Sequence, residues 1–153
     1  MRRAPDFVIG PPENPYMHRW FVIPRNRIFN VYLHKFLRDD DDRALHDHPW
    51  PSVSLVLKGG YYEQTKGPDG SFERRWFGPG NVIFRGPRYA HRVELGRRYV
   101  GGFTLEDVVP CWTLFVTGPR VREWGFHCPK RWVPWTEFVD QKDHGNIGKG
   151  CGE

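Results

Sequence analysis

Several features that mark whole protein classes are missing from this chain. No apolar run approaches the length of a membrane helix, so no membrane partner is expected. The opening stretch MRRAPDFVIGPPENPY has a basic start with no apolar segment behind it, which argues against a secretory signal. Only three cysteines occur, Cys111, Cys128 and Cys151, odd in number and without a CxxC pair. Reduced thiols in a cytoplasmic protein are the expectation, with no role assigned to Cys128 or Cys151. The net charge is +5, yet no five like charges adjoin and the basic residues stand singly or in pairs. A nucleic-acid partner is therefore not expected. Internal repeats and amphipathic helices longer than two turns are absent as well.

What is present reads as a β protein. The 153 residues suffice for one domain with a hydrophobic core, and 39% hydrophobic with 27% charged residues is an ordinary globular composition. Aromatics reach 16%, and 17 glycines and 14 prolines break the chain into short pieces, as in strands joined by turns. Strands are expected at 20–24, 27–37, 52–58, 61–65, 71–77, 81–85, 91–95, 98–105, 111–118 and 121–126. Residues 1–16, with four prolines, form an extended N-terminal segment; 17–140 form the β domain; 141–153 form a flexible Gly-rich tail. Asp39 to Asp42 read as a solvated turn, because four adjacent carboxylates repel.

The stretch RALHDHPWPSVSLVLKGGYYE, residues 43–63, carries the chemistry. Alternation along a strand puts His46 and His48 on one side, with Asp47 turned away and Trp50 and Ser52 continuing the histidine face. Further on, GPGNVIFRGPRYAHRVEL (78–95) supplies two Gly–Pro turns, a hydrophobic strand and His91 at the head of another strand. If the two strands lie side by side, His91 completes a set of three nitrogens able to grip one metal ion. His34 and Glu63 are candidates for a further ligand or for support of the ligands. For His34 a hydrogen-bonded position inside the sheet is the blander reading, and for Glu63 an exposed strand carboxylate. Tyr32, Trp50, Ser52, Arg85 and Arg88 are candidate pocket residues, the arginines as holders of a substrate carboxylate or phosphate.

These residues resemble the cupin superfamily over roughly residues 28–118, and also small uncharacterised cupin-like proteins of bacterial and phage genomes. His46 and His48 match the HxH of the first cupin motif, Gly59 or Gly60 its closing glycine, and Gly80 and His91 stand at the spacing of the second motif. The resemblance implies an all-β, single-domain cupin-type β-barrel, a double-stranded β-helix or jelly roll, with extra flanking strands. The usual glutamate ligand is replaced by Ser52 or Val53, and Asp40 replaces the leading glycine. Gly86, Arg88 and Leu95 replace the proline, glycine and asparagine of the second motif. What remains resembles the three-histidine cupins related to cysteine and gentisate dioxygenases. The implied cofactor is a divalent metal, Fe(II) first, with Zn, Ni or Mn as alternatives. The implied function is a mononuclear metal-dependent enzyme, Fe(II) dioxygenase-like, acting on a small anionic substrate. Two alternatives stand beside it: a non-enzymatic cupin that binds a small ligand, and a metal-free isomerase of the sugar-nucleotide type. Cupins often dimerise through edge strands, so a homodimer is a further expectation.

Overall fold

Alternating side chains decide this architecture, because each strand must give one face to an interior and the other to its surroundings. The structure, a computed structural model, describes residues 3–40, 44–100, 105–140, 142 and 147–152. Among these the strands are β1 (Phe7–Ile9), β2 (Met17–Phe21), β3 (Asn30–Phe36), β4 (Leu45–His46), β5 (Ser52–Lys58), β6 (Tyr61–Lys66) and β7 (Phe72–Phe77). They continue with β8 (Val82–Arg85), β9 (Arg92–Leu95), β10 (Arg97–Val100), β11 (Leu105–Val108), β12 (Cys111–Thr117), β13 (Gly125–His127) and β14 (Trp132–Pro134). A single helical turn, α1 (Trp135–Phe138), follows. The all-β expectation is met.

A six-stranded sheet ordered β1-β2-β3-β12-β5-β8 forms one wall. A three-stranded sheet, β7-β6-β9, and a smaller one, β14-β13-β4, are the other main layers, and β10 and β11 form a separate hairpin. The chain crosses between layers at the tight turn after β5. There Gly59 has φ 75°, and a Cβ would stand 2.4 Å from the Pro110 carbonyl oxygen, so any side chain is excluded. Two apolar cores result. Val56, Tyr61, Phe77, Ile83, Val93, Leu95 and Cys111 pack together at one end. Ala44, Phe126, Val133 and Phe138 form the other, with Trp124, Trp135, Cys128 and Cys151 against them.

The register of the six-stranded sheet sorts its residues onto two faces. Arg19, His34, Thr113 and Val56 lie in one cross-strand row, and Phe21, Tyr32, Phe115, Ser54 and Ile83 in the next. On the opposite face run Trp20, Leu33, Leu114, Leu55 and Val82, then Val31, Val116, Val53 and Phe84.

Some details differ from the sequence reading. Residues 98–105 were expected as one strand, but β10 and β11 pair as an antiparallel hairpin around residues 101–104, which lie outside the described residues. Residues 121–124 are not in a strand; only β13 follows. Three short strands were not foreseen: β1, which pairs with β2 from within the N-terminal segment, β4 and β14. The expectation of reduced thiols fails for two cysteines: Cys128 and Cys151 form a disulfide that ties the C-terminal end to β13. Cys111 is free and fully buried, and burial pushes its thiol up to about 12, an inert core residue. Asp39 and Asp40 are not solvated turn residues. Asp40 is buried and accepts the Val93 N–H at 2.7 Å, while Asp39 accepts the Leu95 N–H and pairs with Arg97. Asp41 and Asp42 lie outside the described residues, as do 141 and 143–146 of the tail. No helix among the described residues is long and apolar enough to cross a membrane.

Candidate metal centre

Backbone pairing brings the distant histidines together. His46 and His91 form an antiparallel bridge in which each N–H donates to the other's carbonyl at 2.9 Å. Directly opposed residues of such a pair carry their side chains on the same face. His48, two residues along, reaches the same point. One ring nitrogen from each of His46, His48 and His91 then lies within 4.8 Å of the other two. The Nε2 atoms of His48 and His91 are 2.9 Å apart. Two imidazole nitrogens bound to one ion at about 2.1 Å and at right angles would stand about 3.0 Å apart. The spacing therefore fits two neighbouring corners of a metal's coordination shell.

The third histidine is aimed from behind. His91 Nδ1 lies 2.8 Å from a carboxylate oxygen of Glu63, which is 1% exposed. Burial opposes the charge on Glu63, but the His91 hydrogen bond and the Arg85 guanidinium outweigh it and hold the carboxyl at about 2. A carboxylate only accepts, so His91 Nδ1 carries the proton and its Nε2 presents a lone pair to the centre. Arg85 donates to Glu63, to Ser54 Oγ at 3.1 Å and to Tyr61 Oη at 2.9 Å, and Tyr89 Oη donates to Glu63 at 2.8 Å. Burial pushes His91 down to about 4, and burial with the fields of His91 and His46 takes His48 well below the ordinary range. Both rings are therefore kept neutral, the form that binds metal. His46 Nδ1 stands 3.7 Å from the Asp40 carboxylate.

The histidines open onto a cavity of about 320 Å³, also lined by Arg19, His34, Trp50, Arg85, Phe115 and Trp124. Of the other sequence candidates, Trp50 and Arg85 line it, whereas Tyr32, Ser52 and Arg88 do not. Arg88 is exposed, and Tyr32 is buried in the sheet with its ring under the Arg19 guanidinium at 4.8 Å. His34 lies outside the three-histidine cluster, buried, and accepts a 2.9 Å hydrogen bond from Arg19 Nε. Glu63 is buried against His91 in the supporting position, one of its two candidate places, and is not the exposed strand carboxylate of the blander reading.

Asp47, between the two HxH histidines, is also buried and has a supporting task. It accepts from Gly125 N at 3.0 Å, Trp132 Nε1 at 3.1 Å and Arg122 at 2.8 Å, and it contacts His127 Nε2 at 3.0 Å. These bonds hold the β13–β14 hairpin against the HxH segment and hold the Asp47 carboxyl below its usual range, against the cost of burial. Sequence reading passed over Arg19, Tyr61 and Tyr89. Tyr89 had one signal, its place two residues before His91; Arg19 had none, because its partner lies on another strand.

No family model matches the sequence, and no curated protein does. Solved structures do share its fold. One is an uncharacterised protein with a double-stranded β-helix domain from Klebsiella pneumoniae, 15% identical, covering 78% of this chain and 91% of that one with a TM-score of 0.52. A candidate mannose-6-phosphate isomerase from Ralstonia eutropha is 16% identical over 74% of this chain and 92% of its own, also at 0.52. Fe(II)-HppE, crystallised with an alternative substrate, is 13% identical, covering 77% of this chain and 59% of that one, at 0.52.

Proposed function

We propose that His46, His48 and His91, carried on a cupin-type double-stranded β-helix, hold a mononuclear divalent metal in an enzyme acting on a small anionic substrate. The observation that carries this reading is the convergence of three ring nitrogens within 4.8 Å on a cavity, one of them oriented by buried Glu63. Three neutral imidazoles leave the ion's charge uncompensated and coordination positions open, so Fe(II) would supply dioxygen chemistry and Zn, Ni or Mn Lewis-acid chemistry. Fe(II) is preferred, in keeping with the iron enzyme among the fold's relatives.

The chain's own contributions follow from its geometry. Glu63 fixes the tautomer of His91, and Arg85 neutralises Glu63 so that the carboxylate stays behind the ring. Phe115, Trp124 and Phe126 give the cavity an apolar lining that keeps bulk water from the reacting groups. A second reading has its own support. The 2.9 Å contact between His48 and His91 is also a hydrogen bond that needs no ion, as in a metal-free isomerase using a histidine base.

Anaerobic reconstitution with Fe(II), then an oxygen-electrode survey of small organic acids, tests the proposal. Oxygen uptake that is abolished by a chelator and by His48→Ala is the expected result. Turnover that persists in the chelator moves the assignment to metal-free acid–base chemistry. Ligand binding without turnover under any of the four metals leaves a binding module.

A further inference from the structure

Among the arginines that line the cavity, Arg19 has no carboxylate partner among the described residues. Arg85 is matched by Glu63. Asp40 takes the Tyr16 hydroxyl and the Val93 N–H. Arg19 is different: its Nε donates to His34 Nε2 at 2.9 Å, and its guanidinium lies over the Tyr32 ring at 4.8 Å. Neither partner is an anion, and no carboxylate pairs with it among the described residues. Burial pulls Arg19 below its ordinary range, opposed only in part by the nearby phenols of Tyr32 and Tyr16.

The surroundings hold this guanidinium in place. His34 is 3% exposed, with its ring stacked on Tyr32 at 5.8 Å and tilted against Phe115 at 5.1 Å. Because Arg19 Nε can only donate, His34 Nε2 must be the bare nitrogen, so the pair carries one positive charge. The terminal guanidinium nitrogens find no acceptor among the described residues, although Arg19 lines the cavity. A second donor lining the cavity is also unanswered: Trp50 Nε1 is buried without a hydrogen-bond partner. Burying the Trp50 donor without an acceptor is costly unless a ligand supplies one, and the half-buried Arg19 guanidinium faces the same cavity. A guanidinium fork matches the two coplanar oxygens of a carboxylate.

We propose that Arg19, positioned by His34, anchors the carboxylate of a small monocarboxylic acid whose apolar or aromatic body lies against Phe115 and Trp124. This deepens the proposed function and rests on it for the chemistry that follows binding. It does not rest on it for binding itself, since Arg19 and His34 are outside the three-histidine cluster. The anchoring task assigned from sequence to Arg85 and Arg88 thus passes to Arg19: Arg85 is spent on Glu63, and Arg88 is outside the cavity.

Calorimetric titration with benzoate and with neutral benzamide tests the assignment, on protein as purified and after chelator treatment. Wild type, Arg19→Met, Arg19→Lys and Arg88→Met are compared, with metal content and circular dichroism measured for each. Benzoate is expected to bind wild type and Arg88→Met alike, and to weaken by about tenfold to a hundredfold in Arg19→Met. Arg19→Lys should recover only part of that loss, and benzamide should not distinguish the variants. Unchanged benzoate affinity in folded Arg19→Met, or no benzoate binding to wild type at millimolar concentration, overturns the proposal. Metal retained in Arg19→Met while benzoate is lost separates this result from a failure of the metal site. Benzoate bound through Arg19 by protein that takes up no metal supports the anchor and rejects the metal reading.

Discussion

The two faces of the six-stranded sheet invert the usual arrangement of a β-sandwich. The face turned to the cavity carries Arg19, His34, Thr113, Ser54 and Arg85, all buried or half-buried and mostly polar. The face turned away carries Leu33, Leu114, Leu55, Val31, Val116 and Val53, with Val82 at 52% and Phe84 at 75% exposure on the edge strand. Polar groups are costly to bury, so the inner face is stable only where each finds a partner or awaits one. The outer face depends little on side-chain hydrogen bonding, Trp20 Nε1 to the Arg3 carbonyl at 3.1 Å being one such bond. The proposed carboxylate anchor, Arg19, therefore lies on the face that is harder to build.

Breaking the inner face should have the largest effect. Arg85→Leu leaves the Glu63 carboxylate buried without its cation and should cost about 3–5 kcal/mol in urea unfolding. A loss below about 1 kcal/mol would mean that the pair is solvated in the working protein. Ser54→Ala removes one acceptor of Arg85 and should cost about 1–3 kcal/mol. Glu63→Gln keeps the shape and frees His91 from its fixed tautomer; metal affinity should fall about tenfold to a hundredfold with the fold retained. Competition with a fluorescent zinc chelator reads that change.

Acid sharpens the comparison without mutation. His91 titrates near 4 in the fold against an ordinary 6.5, and His48 is depressed as well, so the unfolded chain takes up protons first. Stability of the metal-free protein should be full above about pH 6.5 and fall as the pH drops from there toward 4. Thermal melts across that window should show a slope that His48→Ala and His91→Ala reduce. The outer face should respond least. Phe84→Lys adds a charge where the ring is already in water, and stability should stay within about 0.5 kcal/mol of wild type. Sedimentation of the same variant should show weaker self-association, since an apolar patch of this kind attracts a second surface.

The alternation that sorts the two faces was legible in the sequence. SVSLVLK announces serines on one side and Val or Leu on the other, and VYLHKF separates Val31 and Leu33 from Tyr32 and His34. The spacing of HxH and His91 likewise carried the three-histidine cluster, because alternation and strand pairing are short-range rules. What lay beyond reading were partners set by layer packing. Glu63 sits in YYEQT, where both faces carry polar groups, and only the sheet-to-sheet approach buries it against Arg85 and His91. Arg19 meets His34 across strands fifteen residues apart. Cys128 and Cys151 meet only because the chain returns after α1.

The central claim, a metal held by three histidines, is tested most directly by elemental analysis of protein purified without oxygen and reconstituted with Fe(II). Wild type and His48→Ala are compared, each shown to be folded by circular dichroism. One equivalent of a divalent metal in wild type and none in the folded variant is the predicted result. Absence of stoichiometric metal from the folded wild type, with Fe, Zn, Ni and Mn each offered in excess, would contradict it.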